Sequence, residues 1–380
     1  MASLTVANTS FSLNLFKKIR ENNKTGNVFY SPLSISSALT MVYLGAEGNT
    51  AAQMSEVSLH SFSVHKAEEV IHMGFSSLFS ELNKEGVPYS LSLANRLYGE
   101  QSFQFVEKFL NDTQKYYGAE LDAVDFRSNP EAVRKNINDW VEKQTQDKIK
   151  DLLAEGIVSS QTILVLVNAI YFKGFWKRKF AESDTIQVPF QLNKNETKPV
   201  QMMFQTDQFN MATVPEVNTQ ILELPYRGKD LSMLIMLPNG IDDDTTGLER
   251  LEKELFYDNF VEWTRPDKMN PVVVEVGLPR FRMEETYDLK DLLISMGMVD
   301  AFNQADFSGM SPNKDLVLSK VVHKSFVEVN EEGTEAAGAT SAVVNVLSAR
   351  PVFIADHPFL FFIRHNPTQS ILFCGRYSSP

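Results

Sequence analysis

The sequence contains a single cysteine, Cys374, so no disulfide can form within the chain. Proteins of reducing compartments typically lack disulfides. No run of apolar residues approaches the roughly 18 residues of a membrane-spanning helix. The first residues, Met1 to Ala7, have neither the basic head nor the apolar stretch of a secretory signal peptide. We therefore expect a cytoplasmic or nucleocytoplasmic protein, or one that cells release by an unconventional route.

Positive charge is also scarce. The 380 residues include 36 Lys and Arg against 48 Asp and Glu, which gives a formal net charge of −12 at pH 7. Such an acidic chain repels the phosphates of nucleic acids and of anionic membranes, so we expect neither as a partner. With 43% hydrophobic and 22% charged residues, the composition is that of a folded globular protein.

The motifs of common enzyme and cofactor sites are absent. There is no G-x-S-x-G nucleophile turn, no H-E-x-x-H or Cys/His zinc spacing, no phosphate-binding G-x-x-x-x-G-K-[ST], and no convincing G-x-G-x-x-G. Cys374 lies in an apolar stretch and is expected to be a small buried side chain rather than a nucleophile. We expect no metal, no cofactor and no catalytic activity.

Apolar periodicity places helices early and strands late in the chain. Helices are predicted to begin at Asn8 or Ser10, at Ser31-Pro32 and at Asn129-Pro130, and to span 66–83. Strands are predicted in 161–172, 231–237, 272–276, 326–330, 359–363 and 371–373. Because helices and strands do not alternate regularly, this order predicts a mixed α and β fold rather than a doubly wound parallel sheet. We expect it to form one domain over residues 1–380.

The segment 333–342 is unusual because nine of its ten residues are Gly, Ala, Ser or Thr. A flexible linker or an exposed loop would have this composition. However, the even-numbered residues from Thr334 to Val346 are all uncharged, so one face of a strand could be buried. Small side chains would let this strand enter between existing strands. The segment can therefore be either a loop or an inserted strand.

Four longer motifs resemble one family, in the same order along the chain. They are NVFYSPLS at 27–34, VNAIYFKG at 167–174, EEGTEAA at 331–337 and HPF at 357–359. Over essentially its whole length the chain resembles the serpin superfamily, and specifically its intracellular, ovalbumin-type branch (clade B). This resemblance implies a serpin fold with three β-sheets, eight or nine helices and an exposed reactive-centre loop at 333–353.

The resemblance also implies a function, the inhibition of serine proteases as a suicide substrate. In serpins the protease cleaves the loop and becomes acylated, and the cut loop then inserts into the large sheet and distorts the protease. Family spacing places the residue before the cut fifteenth from Gly333, which makes Leu347–Ser348 the bait bond. Leucine there suits proteases with apolar primary pockets, of the chymotrypsin, cathepsin G or elastase type. Arg350 is an alternative bait for a trypsin-like enzyme, but it lengthens the loop by three residues and Pro351 follows it.

The hinge of the loop distinguishes this function from its alternatives. Non-inhibitory serpins tend to carry bulky or charged residues where insertion needs small ones. The residues matching the hinge are Glu331, Gly333, Thr334, Ala336, Ala337, Gly338 and Ala339. This composition favours inhibition over a storage, carrier or chaperone role, whereas cross-class inhibition of cysteine proteases stays open.

Other residues match family positions around the opening of the large sheet. The resemblance assigns Ser34, Asn168 and His323 to a buried polar cluster, Trp176 to the insertion point, and Arg280 to an ion pair with Glu331. Heparin-activated serpins use a basic helix, but the candidate at 66–83 has Lys66 together with three glutamates. We therefore expect a monomer that forms a covalent complex with its protease and has no strong heparin activation.

Overall fold

Helices and strands are mixed along the chain, in a computed structural model that describes residues 2–59, 68–332 and 349–380. The predicted mixed α and β fold is confirmed. The helices are α1 Ala2–Asn22, α2 Pro32–Tyr43, α3 Gly48–Leu59, α4 Glu68–Leu82, α5 Glu107–Tyr117, α6 Pro130–Gln144, α7 Glu249–Lys253, α8 Tyr257–Thr264, α9 Lys290–Met296 and α10 Asp300–Asn303. The strands are β1 Val28–Tyr30, β2 Ser90–Glu100, β3 Leu121–Val124, β4 Leu164–Lys173, β5 Thr185–Gln191, β6 Thr197–Val214, β7 Thr219–Pro225, β8 Leu231–Pro238, β9 Asn270–Pro279, β10 Phe281–Asp288, β11 Lys320–Val329, β12 Val352–Ile354, β13 Phe359–His365 and β14 Ser370–Tyr377.

The strands of the described ranges form two sheets, so the expectation of three sheets is wrong for this part of the chain. The five-stranded sheet has the order β10-β11-β4-β2-β3. The nine-stranded sheet has the order β1-β14-β13-β8-β7-β6-β9-β12, with β5 also paired to β6. The 18-residue β6 causes the merger, because it pairs with β5 near its start, with β7 at its end and with β9 between. One long strand thus joins strands that would otherwise form separate sheets.

The described residues form ten α-helices rather than the expected eight or nine, and some of the short helices are separated by only three residues. For example, Gly297, with φ of 117°, ends α9, and the four-residue α10 begins three residues later. None of these helices has the length and hydropathy needed to span a bilayer.

Helix α1 differs from its predicted start. It begins at Ala2 rather than at Asn8 or Ser10, since its first turns bury Leu4 and Ala7 and tertiary packing extends the helix past the polar residues. Asn8 lies inside the helix, 1% exposed, and cannot act as its cap.

The predicted start of α2 is confirmed in detail. The Ser31 side chain accepts a hydrogen bond from the backbone N–H of Ser34 at 3.2 Å, and Pro32 occupies the first turn. Both features stabilise a helix start, because the first N–H groups of a helix have no partner within it and proline has no N–H to leave unpaired.

Strand β4 is covered on both faces, as its nearly continuous apolar run predicted. Leu164 and Leu166 belong to the core that contains residues of α1 and α2. Val165 and Val167 belong to a second cluster with Val133 and other residues of α6. Successive side chains of β4 therefore point to opposite faces of the five-stranded sheet, with α6 on one face and α2 on the other. Strand β4 thus lies between two layers of helices.

The antiparallel pairing of β13 with β14, in which Gly375 lies opposite Phe361, gives a test of the packing. Replacing Gly375 with alanine would place Cβ 2.3 Å from the ring of Phe361. Because this ring lies in the core and has little room to move, we expect the variant to lose about 1–3 kcal/mol of unfolding free energy. Gly240→Ala is the matched control, since its Cβ would meet nothing within 4 Å. Denaturant unfolding of both variants measures the difference, and equal stabilities would contradict the observed packing.

Candidate functional site at the seam of the five-stranded sheet

The parallel pairing of β4 with β11, here called the seam, is the centre of the candidate site. Eight residue pairs form it, from Lys320 opposite Val165 to Val327 opposite Phe172. The outer neighbours β2 and β10 are both antiparallel to the strands that they flank. Parallel ladders are slightly less stable per residue than antiparallel ones. The seam is therefore expected to be the least stable of the three central strand pairings, which are β10 with β11, β11 with β4, and β4 with β2.

Polar side chains occupy the middle of the seam, directly opposite one another. Asn168 on β4 faces His323 on β11, and His323 Nδ1 lies 2.6 Å from Asn168 Oδ1. The Ser34 hydroxyl, on α2, donates to the same Oδ1 at 2.7 Å. All three residues are at most 1% exposed. The structure therefore brings Ser34, Asn168 and His323 together in one buried cluster.

The cluster fixes the protonation of His323. The backbone N–H of Ser31 can only donate, and it lies 3.1 Å from His323 Nε2, so Nε2 accepts and Nδ1 carries the proton. Complete burial lowers the pKa of His323 to about 3, which keeps the ring neutral. A second proton, on Nε2, would face the Ser31 N–H and have no acceptor.

Two further serines, which the sequence reasoning missed, connect the seam to the nine-stranded sheet. The Ser31 hydroxyl donates to the Leu372 carbonyl at 2.6 Å, and the Ser325 hydroxyl donates to the Phe29 carbonyl at 3.0 Å. The position of Ser325 offered a signal, since it lies two residues after His323 and therefore on the same face of β11. These bonds tie β11 and α2 to β1 and β14.

The C-terminal end of β11 is held by a separate set of contacts. Trp176 donates from Nε1 to the Asn330 carbonyl at 3.0 Å, and its ring stacks on Tyr226 at 4.6 Å. The Glu331 carbonyl accepts from the Phe180 N–H at 3.0 Å. Trp176 is thus placed where the chain leaves the sheet.

The side chain of Glu331 is also fixed at this point. Its Oε1 accepts from the Thr185 hydroxyl at 2.8 Å and lies 3.4 Å from Arg280 Nη1. The structure therefore brings Arg280 and Glu331 together. The pair is asymmetric, because the Glu331 side chain is 6% exposed whereas that of Arg280 is 50% exposed. Removing the arginine would leave a buried carboxylate with fewer partners, whereas removing the glutamate would leave a solvated cation.

Most of the predicted loop residues lie outside the described part of the chain. These are Gly333, Thr334, Ala336, Ala337, Gly338, Ala339, Leu347 and Ser348. Arg350 is described, and the residue after it is already anchored, because the Pro351 carbonyl accepts from the Glu275 N–H at 3.0 Å. Strand β12 begins at Val352, opposite Glu275 of β9.

The described residues offer little for metal or nucleophilic chemistry. Among them, no group of three His, Cys, Asp or Glu side chains is arranged to hold a metal ion. Cys374 is buried, and this burial raises the pKa of its thiol to about 12, which disfavours the reactive thiolate at neutral pH. In α4 the sequence from Glu68 to Leu82 has three glutamates and no lysine or arginine, whereas Lys66 lies outside the described residues.

Comparisons with known proteins agree on one family. A family model described as "Serpin (serine protease inhibitor)" matches residues 6–380. Leukocyte elastase inhibitor of Bos taurus is 54% identical over 383 residues, and Serpin B6 of Macaca fascicularis is 54% identical over 384 residues; each alignment covers 100% of both chains. The structure of uncleaved ovalbumin matches with a TM-score of 0.92 at 38% identity and covers 99% of this chain and 100% of that one.

The neutral His323 predicts a pH dependence of stability. In the unfolded chain histidine takes up a proton near pH 6.5, but in the folded protein it does so only near pH 3. Acid therefore favours unfolding across this range, and between pH 7 and pH 5 His323 should remove ~2 kcal/mol of unfolding free energy. The variant His323→Gln should be less stable than wild type at pH 7. Its unfolding free energy should not show the loss that His323 causes between pH 7 and pH 5.

Unfolding of the two proteins at pH 7 and pH 5, at one salt concentration, measures the difference. His72 and His365, whose pKa values are also lowered by burial, are present in both proteins, so their contributions cancel. A stability gap between wild type and variant that does not narrow at pH 5 would contradict the assignment.

Proposed function

The chain belongs to the serpin family, and from this we propose that it inhibits serine proteases as a suicide substrate. The observation that carries the proposal is the seam. The segment 333–346 follows β11 in the chain, so to enter the seam as a strand it would have to reverse direction and run antiparallel to both β4 and β11. One parallel ladder would be replaced by two antiparallel ladders, which are the more stable kind.

The covalent step uses the protease's own chemistry. The serine hydroxyl of the protease attacks the Leu347 carbonyl carbon and gives its proton to the protease histidine. The Leu347–Ser348 peptide bond breaks, and the amine of Ser348 leaves with that proton. An ester then joins Leu347 to the protease. Normal turnover would need water to hydrolyse this ester.

Insertion of the cut loop would compete with that hydrolysis. A strand of about a dozen residues, at about 1 kcal/mol net per hydrogen bond, gains on the order of 10 kcal/mol. The whole stability of an ordinary domain is of similar size. Insertion can therefore distort the active site of the tethered protease, and it requires a metastable native state.

The choice of Leu347 over Arg350 is supported by the anchoring of Pro351. A protease binds several extended residues on each side of the scissile bond, and these must be free of other pairing. The Pro351 carbonyl, one residue after Arg350, already accepts a hydrogen bond from Glu275. Leu347 lies three residues further from this anchor, and its apolar side chain suits chymotrypsin-, cathepsin G- or elastase-like enzymes.

The cluster at the middle of the seam supports a sheet that opens and closes again. The hydroxyl groups of Ser34, Ser31 and Ser325 connect this region to Asn168, to the Leu372 carbonyl of β14 and to the Phe29 carbonyl of β1, respectively. Hydroxyl groups rotate and both donate and accept, so they can exchange partners when strands separate. We propose that this cluster keeps the native seam closed until the loop inserts.

We propose in addition that the protein works as a cytoplasmic monomer. With three glutamates and no lysine or arginine in α4, we expect no acceleration by heparin through this helix. The small hinge residues argue against a carrier, storage or chaperone role. Inhibition of papain-like cysteine proteases is the remaining alternative, because the trap needs only a covalent acyl-enzyme.

The bait bond can be identified directly. We expect an SDS-stable complex with chymotrypsin or an elastase-type enzyme and release of a C-terminal peptide whose mass corresponds to residues 348–380. A peptide that begins at Pro351, formed with trypsin, would move the bait to Arg350. Cleavage without a complex and without a gain in thermal stability would favour a non-inhibitory role.

Insertion itself can be tested at the hinge. Thr334→Arg would bury an unpaired charge on insertion, which costs several kcal/mol, so the variant should be cleaved as a substrate and release active protease. Glu335→Arg is the matched control, because residue 335 has the opposite parity and would face solvent, and it should still form the complex. A stable complex of Thr334→Arg at normal stoichiometry would refute the insertion argument.

A further inference from the structure

Two short segments beside the end of β11 lie side by side. The Arg227 N–H donates to the Phe175 carbonyl at 2.6 Å, and the Lys177 N–H donates to the Pro225 carbonyl at 2.9 Å. Trp176 and Tyr226 form an antiparallel bridge between these bonds, and their stacked rings are buried. Since side chains alternate along an extended chain, the neighbours of these two residues face outwards.

Positive charge is concentrated on these two segments. Five exposed cations form what we call the cationic patch: Lys173, Lys177, Arg178, Arg227 and Lys229. The Lys173 ammonium lies 5.5 Å from the ring centre of Phe175, which is directly opposite Arg227. Desolvation and the positive charges of Lys229 and Arg178 lower the pKa of Lys177, so these cations repel one another in the free protein.

The backbone holds the patch in place. Lys229 adopts a left-handed conformation with φ of 65°, its N–H donates to the Tyr226 carbonyl at 3.0 Å, and its carbonyl accepts from the Asn366 amide at 2.9 Å. The fixed turn keeps like charges together even though they repel each other in the free protein. The ordered backbone reduces the entropy that would be lost when these cations gather around an anion.

Acidic side chains also lie near the patch: the exposed Glu328 follows Val327, which pairs with Phe172 next to Lys173, and two aspartates form ion pairs here. Asp207 pairs with Arg178, and Asp230 pairs with Lys84, which lies outside the patch. The rest of the chain is strongly acidic, since 36 Lys and Arg less these five leaves 31 against 48 Asp and Glu. A long polyanion that extended beyond the patch would therefore meet repulsion, whereas a compact anion would not.

From this geometry we propose that the cationic patch binds a compact anion carrying several phosphate groups. Such a group can be a soluble organic polyphosphate or a phosphorylated lipid headgroup, which present the same chemistry. Phosphate oxygens accept hydrogen bonds from both Lys and Arg, and the bound charge relieves the repulsion between Lys177, Arg178 and Lys229. The site is independent of the proposed bait bond and hinge.

The test is binding of inorganic tripolyphosphate to the full chain, measured by calorimetry at low and physiological salt. The affinity of the double variant Lys177→Gln/Lys229→Gln should fall at least tenfold, since two of five cations are removed, and wild-type binding should weaken as salt rises. Lys135→Gln/Lys253→Gln is the matched control, because it removes the same charge from exposed positions elsewhere and should bind as wild type does.

Failure of wild type to bind, or equal losses in both double variants, would overturn the proposal. So would heparin or duplex DNA that binds through these residues more tightly than tripolyphosphate, because the site would then suit long polyanions. Inositol hexakisphosphate and phosphatidylcholine vesicles containing phosphatidylinositol 4,5-bisphosphate identify the source of the phosphate. Binding of either that the patch variant loses supports the proposal.

Discussion

The parallel pairing of β4 with β11 is the constraint on which the rest of the architecture depends. These two strands meet at the centre of the five-stranded sheet, with α6 on one face and α2 on the other. Their eight residue pairs leave no gap, yet a parallel ladder is the weaker kind of pairing. A strand that entered here antiparallel to both neighbours would replace one parallel ladder by two antiparallel ladders. The closed sheet is thus complete without being the best pairing these strands can make.

In the proposed mechanism, the buried polar cluster would hold the seam closed and still allow it to open. Apolar residues in place of Asn168 and His323 would pack well, but they would not require any particular register or partner. Hydrogen bonds between buried groups do require one, because an unpaired buried amide or imidazole costs about 1–3 kcal/mol. The cluster would therefore penalise partial opening, in which buried groups lose their partners, and would tolerate a full exchange in which they find new partners. The neutral state of His323 fits this role, since a charged ring would favour entry of water.

The sequence predicted elements well where the information is local, and poorly where it depends on distant contacts. The capping of α2 by Ser31 and the burial of β4 follow from residue types a few positions apart, and both are confirmed. The predicted start of α1 was wrong because the packing of Leu4 and Ala7, and not the available capping residues, decides where the helix begins. The expected number of sheets was wrong because β6 is long enough to pair with three strands, and no local sequence pattern reveals such pairing. Likewise the family resemblance named Ser34, Asn168 and His323, but the proton on Nδ1 follows only from the Ser31 N–H, 292 residues away.

The two anchors of the loop explain why cleavage, rather than thermal motion, should release it in the proposed mechanism. Before the loop, the Glu331 carbonyl is bonded to Phe180; after it, the Pro351 carbonyl is bonded to Glu275 and β12 is paired with β9. The first anchor lies beside the five-stranded sheet and the second belongs to the nine-stranded sheet. An intact loop could enter the full length of the seam only if β12 left its partner, at the cost of its ladder and of the buried Phe353. Cleavage at Leu347–Ser348 removes this cost, because the inserting end is then no longer connected to β12. The gain from two antiparallel ladders thus becomes available only after the protease has formed its ester with the chain.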